Sequence, residues 1–166
     1  MAEMTTNVSG IHASQFKPED LASILTNGKM GGHLSAAWAL SERGAAIVDP
    51  LVQVMKNPDR NVRWSAAIAL QRIGSSAVDP LTKVLANGAP ETRAPAIWAL
   101  EQIGDERAGD PLICVLKGDA DEFCRWMAAA ALRKIGHPDG IAAVNEALKG
   151  ANAEEIGYIE ELIEGS

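Results

Sequence analysis

The sequence has few aromatic residues and no strand-like pattern of alternating side chains. Its aromatic residues are four Trp, two Phe and one Tyr among 166 residues, and the apolar content of 47% comes mainly from alanine and leucine. Both are strong helix formers. Strand-favouring side chains never cluster in alternating runs. These absences argue against a β-rich fold and favour an all-α one.

The sequence also lacks a surplus of basic side chains. Lys and Arg number 15 against 22 Asp and Glu, and the formal charge is −7. Because binding to phosphates requires positive charge, we do not expect nucleic acid as a partner. The first residues do not resemble a signal peptide, and no apolar run approaches the roughly 20 residues of a membrane span. We therefore expect a cytoplasmic protein with no membrane segment.

Residues that carry chemistry are scarce. The three histidines, His12, His33 and His137, have no metal-ligand spacing, and no phosphate-binding loop, dinucleotide fingerprint or nucleophile motif is present. Cys114 and Cys124 do not form a disulfide framework, and an inert role is the simpler interpretation of both. We expect no catalytic residue, metal or cofactor.

The strongest positive feature is an internal repeat. Four segments end in Ala-Leu, a few variable residues and glycine: SAAWALSERG, SAAIALQRIG, PAIWALEQIG and AAAALRKIG. Their glycines, Gly44, Gly74, Gly104 and Gly136, are spaced 30, 30 and 32 residues apart. A second apolar element follows each glycine, and three of these elements contain Asp-Pro. A fixed period of this length indicates a stacked repeat architecture.

Each repeat is predicted to contain two helices. Glycine after the last apolar residue is typical of a helix C-cap, and Asp-Pro fits an N-cap followed by proline at the first helical position. Residues 17–28 resemble a second helix without a first, and residues 153–165 a first helix without a second. The prediction is an all-α solenoid of about four two-helix repeats with a half-repeat cap at each end, spanning 17–166 as one domain after a flexible segment, 1–16.

The repeat unit resembles the HEAT-like repeat of the phycobilisome lyases. Its pattern is V-R-x-x-A-A-x-A-L-x-x-I-G, and VRWSAAIALQRIG at residues 62–74 matches it most clearly. The resemblance implies a right-handed superhelix in which these first helices line the concave side and the Asp-Pro helices the convex side. It also implies an alternative ligand, an open-chain tetrapyrrole (bilin), held by a lyase-like subunit.

The four tryptophans fall on two equivalent repeat positions. At about 100° per residue from Val62, the core residues of that helix lie between about −20° and +80°, whereas Trp64 and Ile68 lie near 200° and 240°. Position one holds Leu34, Trp64, Ala94 and Trp126, and position two holds Trp38, Ile68, Trp98 and Ala130. All four indoles are thus predicted to point away from the core of their own repeat.

Two interpretations of this tryptophan row remain open. Half-covered indoles would expose roughly 300–500 Å², which is the size of a functional apolar patch on a monomer. Alternatively, the indoles wedge between neighbouring helices and serve packing alone. On the first interpretation, the partner-binding residues are Trp38, Trp64, Trp98 and Trp126, extended by Leu34, Ile68 and Met127 and flanked by Glu42, Arg72, Gln102 and Lys134.

Recurring arginines suggest a structural ladder. Arg63, Arg93 and Arg125 follow the Asp-Pro aspartates, Asp49, Asp79 and Asp110, by 14 or 15 residues. We expect these arginines to pair with these aspartates and tie successive helices together, as the resemblance also implies.

The preferred function is a non-enzymatic scaffold. Its tryptophan row is expected to hold a helix or extended segment of another protein on the concave face. A bilin-binding, lyase-like subunit is the alternative and the only enzymatic one considered. A second copy of the chain, giving a homodimer, is a third candidate partner.

Overall fold

The structure is a computed structural model that describes residues 17–26 and 32–151, together with the single positions 153, 156, 157, 160 and 161. The side chains of residue 18 and residues 32–35 are outside this description. The predicted flexible segment, 1–16, also lies outside the described residues, as does most of the predicted C-terminal cap.

The described residues form helices and short 3-10 turns, with no strand among them. The α-helices are α1 (Pro18–Thr26), α2 (Gly32–Ser41), α3 (Val48–Val54), α4 (Arg60–Ile73), α5 (Val78–Asn87), α6 (Pro90–Ile103), α7 (Gly109–Gly118), α8 (Glu122–Ile135) and α9 (Pro138–Lys149). The 3-10 turns, at Gly44–Ile47, Gly74–Ala77 and Glu106–Ala108, each lead into a second helix. The predicted all-α class is confirmed.

The helices stack in two layers. The first helices of the repeats, α2, α4, α6 and α8, each contact the next first helix along the chain, and the second helices, α1, α3, α5, α7 and α9, do the same. First and second helices also contact each other across the layers, as α3 does with α4 and α7 with α8. This is the predicted solenoid, with α1 as the half-repeat at one end.

The core lies between the two layers at repeat-equivalent positions. The leucine of each Ala-Leu pair is at most 2% exposed: Leu40, Leu70, Leu100 and Leu132. The leucine after each Asp-Pro is fully buried: Leu51, Leu81 and Leu112. Alanines of the first helices fill the space between these leucines, which allows neighbouring helices to approach closely.

The glycine that follows each first helix has a positive φ, and Gly104 and Gly136 have the left-handed backbone expected of a C-cap. Gly104 has φ 72° and Gly136 φ 77°. Their N–H groups donate to the carbonyls of Leu100 and Leu132, respectively, closing the helix end. Only glycine adopts this conformation without a steric penalty, so the predicted C-cap is confirmed at Gly104 and Gly136. Gly74 has φ 82° and ψ −141°, a different conformation with positive φ that also favours glycine.

The predicted N-cap role of the Asp-Pro aspartates is wrong. Helix α3 begins at Val48, one residue before Asp49, and α5 and α7 likewise begin one residue before their aspartates. The 3-10 turn runs directly into each helix, so the helix starts earlier than the Asp-Pro pair. Proline is tolerated there because the first-turn N–H groups of a helix have no partner within the helix.

Candidate partner-binding surface

Trp38 is the most exposed tryptophan that the structure describes. It lies on α2 with 55% of its surface open to solvent. On the next first helix, the guanidinium carbon of Arg72 lies 4.3 Å from the centre of the indole ring. Arg72 Nε also donates to Ser41 Oγ at 3.2 Å. This cation–π contact, typically about 0.5–1 kcal/mol at an exposed site, holds the indole in place while leaving much of it accessible.

Trp64 and Trp98 form an aromatic pair on the neighbouring helices α4 and α6. Their ring centres are 5.9 Å apart, and the rings are inclined at 65°, an edge-to-face arrangement. Both indoles are half-buried and pack in part against the core. The pair therefore contributes to packing between repeats and also leaves part of each ring in solvent.

Trp126 and Met127 do not lie on the surface, so the expectation of four outward-facing tryptophans is wrong for α8. Trp126 is 8% exposed and Met127 7%. Trp126 Nε1 donates to Glu122 Oε1 at 3.3 Å, and the guanidinium of Arg125 lies 5.9 Å from the ring centre. Every residue of α8 from Trp126 to Leu132 is buried. The angle of a side chain around its helix gives the direction in which it points. It does not show whether another part of the protein buries the side chain on that face.

The other residues predicted for this surface have varied surroundings. Ile68 and Gln102 are half-buried, Glu42 and Arg72 are exposed, and the side chain of Leu34 is outside the described residues. We use the name tryptophan surface for Trp38, Trp64, Ile68, Arg72 and Trp98.

Lys134 has a structural partner that the sequence did not reveal. Its Nζ lies 3.2 Å from Oε1 of Glu101, a carboxylate that is only 5% exposed. Glu101 occupies a position that holds Ser41, Gln71 and Arg133 in the other repeats, so no repeated pattern marked it. Lys134, on α8, thus serves as the counter-charge of a buried glutamate on α6, the preceding first helix.

The predicted ladder between arginines and Asp-Pro aspartates is wrong. Asp79 pairs instead with Arg107, 2.9 Å away. Arg63 and Arg93 reach the loops at the ends of the second helices, whereas the aspartates lie at the beginnings of those helices. Spacing along the chain relates equivalent residues but does not show which end of a helix a side chain reaches.

Arg93 forms the most buried ion pair among the described residues. Its Nη2 donates to Asp119 Oδ1 at 2.6 Å, and its Nε lies 2.6 Å from Oδ2. The side chains are 15% and 4% exposed. Burial works against the charged guanidinium, yet the hydrogen bond and charge of Asp119 raise the pKa of Arg93 above its ordinary value. The pair joins α6 to the loop after α7.

The two cysteines differ in their surroundings. Cys124 is fully buried, and burial, with the nearby carboxylates of Asp121 and Asp119, raises the pKa of its thiol to about 12. A thiol with this pKa carries almost no thiolate near neutral pH, so it is a poor nucleophile. Cys124 is therefore a core residue, which agrees with the inert role expected from the sequence. Cys114 is exposed on α7.

Within the described part of the chain, no group of three or more His, Cys, Asp or Glu side chains is arranged to hold a metal ion. Among the same residues, no helix is both long and apolar enough to cross a membrane.

The match to a known protein family agrees with the repeat architecture. The family of HEAT repeats matches residues 33–89 and 78–158, which together cover most of the chain. Similar solved structures include a designed armadillo repeat protein in complex with peptide (KR)4, at 20% identity over 87% of this chain and 79% of that one, with a TM-score of 0.47. An engineered protein matches at 23% identity over 88% and 77% of the two chains, also with a TM-score of 0.47. No curated protein matches the chain.

Proposed function

We propose, from the premise that the chain belongs to the HEAT repeat family, that it is a non-catalytic scaffold that binds a segment of another protein on the tryptophan surface. The observation that carries this proposal is Trp38, an indole with 55% of its surface in solvent beside an arginine. Trp and Arg are the side chains most enriched at the energetic centres of protein interfaces. An indole held open at this position supplies a ready anchor.

The size of the surface favours a short partner segment. With about 250 Å² for a whole Trp side chain, Trp38 leaves about 140 Å² open, and the half-buried Trp64 and Trp98 add at most about 80 Å² each. The total of about 300 Å² is at the lower end of functional apolar patches on monomers. A helix or an extended strand that presents one or two apolar side chains matches this area.

The test compares two exposed aromatic residues. Wild type, Trp38→Ala and Phe123→Ala, each tagged, are used to capture proteins from a lysate of the source cells. Phe123 is the matched control, because it is 43% exposed on α8 and is not part of the tryptophan surface. We expect wild type and Phe123→Ala to capture the same protein, and Trp38→Ala to lose it. The affinity of the purified partner should fall at least 30-fold, which corresponds to about 2 kcal/mol at an interface hot spot.

Two outcomes contradict the proposal. Equal capture by Trp38→Ala and wild type would remove the tryptophan surface from the interface. Absence of any captured protein, together with a dimer in light scattering that Trp38→Ala dissociates, would assign the surface to a second copy of the chain.

The resemblance to phycobilisome-lyase repeats motivates a second candidate, a bilin on the same surface. The edge-to-face pair of Trp64 and Trp98 offers aromatic contacts to a conjugated ligand, and Arg72 offers a positive charge to its propionates. Visible absorption after mixing with biliverdin tests this candidate. A red shift that Trp38→Ala abolishes supports it, and an unchanged spectrum without tryptophan quenching eliminates it.

A further inference from the structure

A groove runs between two successive second helices, on the layer that does not carry the tryptophan surface. The α3–α5 groove has a volume of about 930 Å³ and is lined by side chains of α3 and α5 and by the loops that follow them. A similar groove of about 760 Å³ lies one repeat further along, between α5 and α7. Each groove has one of the repeated arginines in its lining, Arg63 in the first and Arg93 in the second.

The two arginines differ in whether they already hold a carboxylate. Arg93 is paired with Asp119, the residue that ends α7. The residue that ends α5, at the equivalent position, is Gly88. Arg63 therefore faces a loop with no carboxylate at that position, and none of the ion pairs among the described residues includes Arg63. The carboxylate that pairs with Arg93 in one repeat thus has no counterpart beside Arg63 in the preceding repeat.

Other contacts fix Arg63 in place. Its Nη1 donates to the carbonyls of Asn57 and Pro58, each at 2.8 Å, and its Nε donates to the Glu91 carbonyl at 3.1 Å. The Glu91 carbonyl is available because its usual helical donor would be residue 95, which is Pro95 and has no N–H. These three bonds all use carbonyl oxygens, so the positive charge of Arg63 stays uncompensated while the side chain is held in position.

The charge of the α3–α5 groove is opposite to that of the whole chain. Three basic side chains line it, Lys56, Lys83 and Arg63, against two acidic ones, Asp49 and Glu91. The chain as a whole carries −7. Lys83 is exposed, and Lys56 is exposed with its Nζ donating to Gln53 Oε1. A locally positive groove on an acidic protein attracts an anionic group.

We propose that the α3–α5 groove binds a peptide segment through an Asp or Glu side chain, whose carboxylate is held by Arg63 and Lys83, two basic residues of the groove lining. A carboxylate is the anion indicated, because Asp119 accepts from Nη2 of the equivalent Arg93, and the three bonds of Arg63 described above use its Nε and Nη1 and not its Nη2. A peptide is the occupant indicated, because the groove is far larger than one carboxylate and includes the apolar side chains of Val52 and Val84. The site is separate from the tryptophan surface.

The experiment is an NMR titration of the ¹⁵N-labelled full chain. The probes are the capped peptide Gly-Val-Asp-Val-Asp-Val-Gly, its counterpart with Asn in place of Asp, and sodium acetate at the same carboxylate concentration. The Nε–H signal of Arg63, assigned by its loss in Arg63→Lys, and the amide signal of Gly88 report on the groove. We expect the Asp peptide to shift both signals, with little effect from the Asn peptide or acetate, and to leave the Nε–H signal of Arg93 unchanged.

Exposed lysines provide variants that retain the fold. Lys83→Glu should weaken binding of the Asp peptide at least tenfold. Lys117→Glu is the matched control, since it makes the same charge change on α7 outside the groove lining and should alter the affinity less than twofold. Trp38→Ala should have no effect, which separates this site from the tryptophan surface.

Several results would overturn the proposal. Absence of shifts with the Asp peptide rules out the site. Equal shifts with the Asn peptide rule out the carboxylate, and equal shifts with acetate rule out a peptide occupant. An equal loss of affinity in Lys83→Glu and Lys117→Glu shows that the effect is one of overall charge and that the groove is not the binding site.

Discussion

The same substitution at two tryptophans, Trp38→Ala and Trp126→Ala, should lower the free energy of unfolding by very different amounts. Both residues lie on first helices, at positions one turn apart in the repeat. The sequence pattern predicts that both side chains point away from the core of their own repeat. In the structure, Trp38 is 55% exposed and Trp126 8%. Stability therefore distinguishes the surface tryptophan from the packed one.

The expected magnitudes follow from the buried areas. Trp126→Ala removes roughly 150–200 Å² of buried apolar surface, which at about 25 cal/mol per Å² gives about 4–5 kcal/mol as an upper estimate. Large-to-small substitutions of core Trp cost about 3–5 kcal/mol. Trp38 is about half as buried as Trp126, so the same scaling, with the lost contact to Arg72 included, gives an upper estimate of about 2 kcal/mol for Trp38→Ala. The difference between the two variants should be at least about 2 kcal/mol.

Urea unfolding followed by circular dichroism at 222 nm measures this difference. Because repeat arrays can unfold in parts, the whole transition of each variant should be compared with that of wild type. Variants that each retain a single tryptophan give an independent readout, in which Trp126 should emit at shorter wavelength and resist acrylamide more strongly than Trp38. Equal losses of stability, or a shielded Trp38 in the isolated monomer, would refute both the burial assignments and the proposed anchor.

Further predictions concern the buried ion pair and the thiols. Asp119→Asn should lower the free energy of unfolding by about 2 kcal/mol, because it removes the counter-charge of the half-buried Arg93, whereas Asp79→Asn, with a side chain 70% exposed, should leave the urea midpoint nearly unchanged. Similar losses in the two variants would contradict this ranking. At pH 8, Ellman's reagent should modify only Cys114 in the folded chain and both thiols in urea, since Cys124 is buried and the pKa of its thiol is about 12. Rapid native modification of both would contradict that burial, and Cys114→Ser is the control that should abolish the native reaction.

The features that sequence predicted correctly are those that every repeat must satisfy. The glycine after each Ala-Leu helix has to take a positive φ, as Gly44, Gly74, Gly104 and Gly136 all do. The leucines of the repeat have to fill one continuous core, as Leu70 and Leu100 do. Requirements of this kind recur at a fixed period, so one sequence carrying four copies already contains the evidence for helix boundaries, layers and core.

The features that sequence missed depend on contacts between one particular repeat and the next. Lys134 meets the buried Glu101 only because their helices are neighbours, and neither position is acidic or basic throughout the array. Trp126 is buried by its surroundings although its angle on α8 matches that of Trp64, which is half-buried. A helical wheel relates a side chain to its own axis. It contains no information about which neighbour covers that side.

Departures from the repeat are also where specific chemistry arises in this molecule. Between the third and fourth glycines the period lengthens from 30 to 32 residues, and within this longer stretch Asp119 follows the end of α7 and supplies the carboxylate that Arg93 requires. The preceding repeat has no such carboxylate; there Pro95 leaves the Glu91 carbonyl without a helical donor, and Arg63 Nε donates to it, which fixes the side chain without neutralising its charge. A strictly regular array would present the same satisfied surface at every step. In this irregular array, the arginine of the α5–α7 groove is neutralised by Asp119 of the same chain, whereas the arginine of the α3–α5 groove is available to a carboxylate from a peptide. A comparison of the two grooves therefore tests the inference within a single molecule.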